Sequence, residues 1–299
     1  MADSTALDDW FRSVSLTTTR SDRVRWVDIF ALLAVPLTLC AVFTLPGPVR
    51  QSLAFDYSDP TILAAFVAPY VHLGWTHLLV NVLGYLVIIP MAYVLSVASG
   101  RRTRFFTVFG TFLVVVPPAL SYLNLAVPRS GSALGFSGVV LAFVGYLAYA
   151  IADYLCAALR LGPVVSLSPV IFFLGFALAA PLSVRSVTVD RATVALGTGG
   201  LVLATLLAAV LFALSAIDGS ETFRRRFEAA TKRRGPFGLA VFALGVFVTF
   251  LFLAFPAEPD RGMATVNLYT HLLGYALGFT STYLSVQLFE YVDAAAVES

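Results

Sequence analysis

Charge is what this chain has least of. Only 12% of its 299 residues are charged and 59% are hydrophobic, where a soluble domain carries about twice that share of charge. The shortage excludes a large soluble enzyme and predicts a polytopic membrane protein. Cysteine is equally scarce. The two present, Cys40 and Cys156, both fall inside apolar runs, which argues against a disulfide framework. Histidine occurs three times, at His72, His77 and His271. Together with the cysteines these lack the spacing of a metal set. The chain has no His-Glu-x-x-His helix, and the paired membrane aspartates of an intramembrane aspartyl protease are missing. Neither a metal nor another cofactor is therefore expected. The net charge of +2 carries no sign of a nucleic-acid partner, because the basic residues follow the expected topology. About 25 polar residues precede the first apolar run, so no cleavable signal peptide is expected.

What is abundant is runs of about 20 apolar residues, the length a spanning helix needs. Eight are expected, at 27–45, 77–98, 105–126, 136–159, 163–181, 192–217, 237–256 and 264–289. The fold class is all-α, a transmembrane helical bundle. Pro46-Gly47-Pro48, Gly162-Pro163, Gly235-Pro236 and Pro256 punctuate the gaps. Residues 1–22 read as a polar tail, 23–291 as the membrane domain and 292–299 as a short C-terminal tail. Most of the 19 basic residues fall in segments that share one side if the N-terminus is inside. This predicts that both termini are cytoplasmic, in the cell membrane. The clustered arginines of 218–236 favour anionic lipid, and positive-inside topology explains them equally well.

That topology puts three motifs at one depth. His77 opens an inward-running helix and Ser137 opens another. His271 lies about two turns into the last, roughly 10 Å deep. Ser137 stands in Gly135-Phe136-Ser137-Gly138, where the glycines let another helix and a substrate backbone approach. At a helix start the free N–H groups favour negative charge, as acyl transfer requires. An ionisable residue in an apolar helix marks a functional site by default, and His271 is one. Gly274 and Gly278 share its face, and Gly138 and Gly145 share a face of the serine helix. Glycine-lined faces allow the closeness that a Ser–His hydrogen bond needs. His77 and Asn81, four residues apart, share a face and can both donate to an oxyanion. His72 precedes them in the loop and is expected to brace it. No carboxylate is placed to orient His271, because Asp153 is too deep and Asp28 is interfacial.

In its motifs the chain resembles the rhomboid intramembrane serine proteases. The resemblance rests on His72-x4-His77-x3-Asn81, on Gly135-Phe136-Ser137-Gly138 with Gly145, and on His271-x2-Gly274-x3-Gly278, in the family's order. It implies a six-helix core with Ser137 as nucleophile and His271 as general base. His77, Asn81 and backbone N–H groups near Gly135, Phe136 and Ser137 would bind the oxyanion. Single-span membrane proteins would be the substrates. Three spans separate the serine and histidine helices here, where the family core has one. The additional pair, within about 163–256, is expected to pack outside the core. Leu141 stands where many members carry a tyrosine under the histidine ring, and the first outer loop lacks the family's Trp-Arg pair.

Two other classes compete. A catalytically inactive, helix-binding rhomboid-like protein would usually have lost the serine or histidine, and both are present. A transporter would carry several carboxylates at depth and often a repeated half, and neither is evident.

Overall fold

The computed structural model describes residues 24–127, 130–184, 191–216, 220–256, 260–261, 264–265 and 267–298. The expected N-terminal tail, together with Pro128, Arg129 and Arg185, lies outside the described residues. The chain is a bundle of helices. In order they are α1 (Trp26–Phe43), α2 (Gly47–Ser52), α3 (Ile62–Val67), α4 (Trp75–Ala98), α5 (Arg102–Leu123) and α6 (Ser137–Leu159). They are followed by α7 (Val164–Val184), α8 (Arg191–Ala216), α9 (Ser220–Thr231), α10 (Arg234–Ala254) and α11 (Leu268–Glu298). Two small antiparallel pairs accompany them: β1 (Phe55–Asp56) with β2 (Ser132–Ala133), and β3 (Asp260–Arg261) with β4 (Ala264–Thr265).

Among the described residues seven helices are long and apolar enough to cross a membrane: α1, α4, α5, α6, α7, α8 and α10. These define a multi-pass, all-α membrane protein. Seven of the eight expected runs meet this criterion. The run read at 264–289 is helical but not among the seven. It is α11, whose 31 residues extend about 46 Å. Thr270, His271, Tyr275, Thr280, Ser281 and Thr282 dilute its apolar character. The helix also continues to Glu298, through residues read as a tail.

Helix α6 is the axis of the bundle, with 89% of its span buried, against 11% for α8. It packs against α4, α5, α7, α10 and α11. Glycines stand at the closest points of its face toward α11 and of α11's face toward it. A Cβ at Gly138 would sit 2.8 Å from Thr270 Cγ2, and one at Gly145 would lie 2.6 Å from the Phe279 amide nitrogen. A Cβ at Gly274 would run into the Gly138 carbonyl oxygen, and one at Gly278 into that of Ala142. Contacts advance together along both chains, so α6 and α11 run in the same direction with their backbones touching. Small residues permit this approach where lipid supplies no hydrophobic drive between helices.

The hairpin α7–α8 is attached asymmetrically. Tyr275 on α11 donates to the Phe172 carbonyl on α7 at 2.9 Å, and its ring stacks on Phe172 at 5.0 Å. Helix α8 packs chiefly on α7, through Phe173–Phe212 and Ser215–Ser166. Helix α9 joins this hairpin to α10, which returns to α4, α6 and α7. Charge collects at the end of α6 away from Ser137. Asp153 takes Arg104 at 3.0 Å and Arg101 at 3.8 Å. Buried Asp28 pairs with Arg102 and accepts from Tyr93 at 2.6 Å.

Candidate active site

Gly135 turns the chain into α6. Its φ of +102° is left-handed backbone that side-chain-bearing residues rarely adopt. The His77 ring also lies directly over it, and a Cβ there would be 2.6 Å from His77 Nε2. Glycine is therefore required twice at this position. Strand β2 and its partner β1 fix the incoming loop, with Phe55 opposite Ala133. The Gly135 N–H donates to the Ala68 carbonyl at 3.1 Å.

Phe136 is the N-cap of α6. Its fully buried ring meets Tyr70 at 5.2 Å and Tyr85 at 6.3 Å. Its N–H points to His72 Nε2 at 3.5 Å, and its carbonyl accepts from the amides of Val139 and Val140. Ser137 follows as the first helical residue and is half-buried. The amides of Ser137 and Gly138 enter no hydrogen bond among the described residues. They are the unsatisfied donors that a helix start offers to an anion.

His72 is fully buried in the loop before α4. Its carbonyl accepts from Arg50 at 2.6 Å. Arg50 also bonds the Leu45 carbonyl at 3.0 Å and lies over the Phe43 ring at 4.3 Å. Burial, aided by the neighbouring His77, lowers the pKa of His72 to about 3. The ring is therefore neutral near pH 7, as an acceptor for the Phe136 N–H must be. The rings of His72 and His77 meet edge to face at 4.9 Å. One turn along α4, buried Asn81 returns its amide N–H to the His77 carbonyl at 2.8 Å. One of its two N–H bonds is thus occupied locally.

His271 lies on α11, one residue beyond the Thr270 that touches Gly138, and is buried. Its Nδ1 is 2.8 Å from the Ala254 carbonyl oxygen at the end of α10. The Phe255 ring meets it edge-on at 5.9 Å and 90°. Leu141 packs against Gly274. No hydrogen bond joins Ser137 to His271 among the described residues. In unliganded enzymes such bonds are often long and close only with substrate bound.

The fold thus brings Gly135, Phe136, Ser137, Gly138, His72 and His77 into one contiguous cluster, with His271 beside it and Asn81 one turn below His77. Gly145, Gly274 and Gly278 form the seam beneath. The sequence reading missed a polar group at the same end. Buried Asn124 accepts through Oδ1 from Asn267 at 2.9 Å and from the Thr270 hydroxyl at 2.9 Å. Asn267 also caps α11, accepting from the Thr270 amide at 3.1 Å. The only sequence signal for this group is an Asn-x-x-Thr at the head of a helix.

Comparison with family models, with curated proteins and with solved structures finds no match.

Proposed function

We propose that the protein is an intramembrane serine endopeptidase of rhomboid type, cleaving single-span membrane proteins near the outer face of the cell membrane. The observation that carries this reading is the glycine seam. It sets the donor-rich start of α6, with Ser137, against the turn of α11 that bears His271. In the mechanism, His271 Nε2 takes the Ser137 hydroxyl proton as Oγ attacks the scissile carbonyl. The resulting oxyanion faces the amides of Ser137 and Gly138 with His77 and Asn81 nearby. The proton passes to the leaving amine, and water then releases the acyl group from Ser137. With α11 as the eighth crossing both termini are cytoplasmic, so this end of the bundle faces outward and the Asp28 and Asp153 arginine clusters face inward.

The test uses wild type, Ser137→Ala and His271→Ala in liposomes, offered a tagged single-span helix with small residues near its outer end. Cleavage by wild type alone is expected. Equal cleavage by Ser137→Ala would overturn the reading. If no variant cleaves, labelling of Ser137 by a fluorophosphonate separates a competent enzyme from a helix-binding scaffold.

A further inference from the structure

We infer that a backbone carbonyl, that of Ala254, is the third member of the site and positions His271 as a base. This rests on the protease reading of Ser137 and His271. His271 Nδ1 and the Ala254 oxygen are 2.8 Å apart. A carbonyl oxygen carries no hydrogen and can only accept, so Nδ1 must carry the proton. In a neutral imidazole the lone pair then lies on Nε2, the nitrogen that must receive the serine proton. In a serine hydrolase triad a carboxylate selects this tautomer. Among the described residues no carboxylate hydrogen-bonds His271.

Ala254 suits the role because of where it stands. It is the last residue of α10, so the helix has no following turn to occupy its oxygen. Pro256, two residues on, has no N–H to offer. Carbonyls at a helix C-terminus hold the negative end of the dipole and favour the imidazolium that forms during proton transfer. Phe255 meets the ring edge-on and limits its rotation. The acceptor and the base belong to different helices, so the position of α10 decides whether the histidine is correctly set.

The experiment reads the tautomer directly. The full-length protein, 15N-labelled at histidine and held in nanodiscs, is assigned by His72→Gln and His77→Gln. The expected spectrum shows His271 with a protonated Nδ1 and a pyridine-type Nε2. A protonated Nε2 with a bare Nδ1 would overturn the inference. A second arm replaces Phe255 with phenyllactic acid, which turns the Ala254 carbonyl into an ester carbonyl and a poorer acceptor. With KM unchanged, kcat should fall about fivefold to tenfold. The same replacement at lipid-facing Phe242 should leave kcat near wild type. Equal losses at both positions would assign the effect to helix stability and remove the positioning role. The spectrum needs no turnover. A protein that neither cleaves nor takes the fluorophosphonate at Ser137, with Nδ1 protonated, sinks the protease reading alone, and an active one with Nε2 protonated sinks this inference alone.

Discussion

Gly274 faces the carbonyl of Gly138 so closely that no side-chain atom fits between them, and Gly278 meets the Ala142 carbonyl in the same way. The two helices that carry His271 and Ser137 are therefore in backbone contact, and the spacing of the proposed catalytic pair depends on two absent methyl groups. Gly278→Ala and Gly274→Ala should each destabilise the protein by about 1–3 kcal/mol, the usual cost of overpacking. They should also reduce proteolysis. Gly238→Ala is the control, because nothing lies within 4 Å of a Cβ there. Unfolding midpoints in detergent read the difference. A Gly278→Ala protein as stable as the control would contradict the seam.

Gly135 combines a left-handed backbone with the His77 ring overhead. Gly135→Ala should lower both stability and kcat. Adding His77→Ala removes the steric part of the damage and leaves the backbone strain. The double variant should then lose less stability than the sum of the single losses, because the two residues are in contact. Strict additivity would show that the ring does not press on this glycine.

Asp28 and Arg102 form a shielded pair, with side-chain exposures of 1% and 16%. Removing one member of such a pair leaves the other charge poorly compensated, at about 3–5 kcal/mol. Asp28→Asn should therefore lower the unfolding midpoint clearly. Glu228→Gln should do almost nothing, because its partner Arg224 is exposed and surface pairs contribute little. Similar effects from the two variants would rule out the burial argument.

His72 gives stability an acid limb. Its folded pKa, near 3, is below the ordinary histidine value of 6.5, so the unfolded chain binds this proton first as pH falls. The contribution is fully present above pH 6.5 and is lost progressively toward pH 3. His72→Gln should flatten the fall in unfolding midpoint between pH 6 and pH 4. An unchanged slope would mean that another group drives it.

Asn267 both caps α11 and holds Asn124. Asn267→Ala should cost about 1 kcal/mol for the cap, and more if the Asn124 amide oxygen loses its second donor. Thr270→Val removes the other donor to Asn124 while keeping the shape. Thermal unfolding of the two single variants and the double variant would show coupling if the three residues act as a unit. Independent effects would exclude such a network.

Hydropathy determined the spans. All eight apolar runs became helices, seven of them with ends close to those expected, because about 20 residues in lipid must satisfy their backbone groups internally and only a helix does so within one segment. The histidine and serine motifs were legible because polar groups in such runs stand out against their surroundings. The amphipathic helix α9 was not legible within 218–236, since its clustered arginines masked the Phe223 and Phe227 that stack on each other. The pairing of β1 with β2 was not legible, because two two-residue strands nearly 80 positions apart carry no local signal.

The sequence by itself determined that the chain belongs in a membrane and which few polar residues break its apolar runs. Tertiary structure alone decided which of those residues meet. It laid α11 along α6 in parallel, placed His77 over Gly135 and wedged α7 beside the seam. It also chose the partner of His271, a main-chain oxygen. Every residue has such an oxygen, and only the ending of α10 at Ala254 leaves this one free and near the ring, so no pattern of side chains could have announced it.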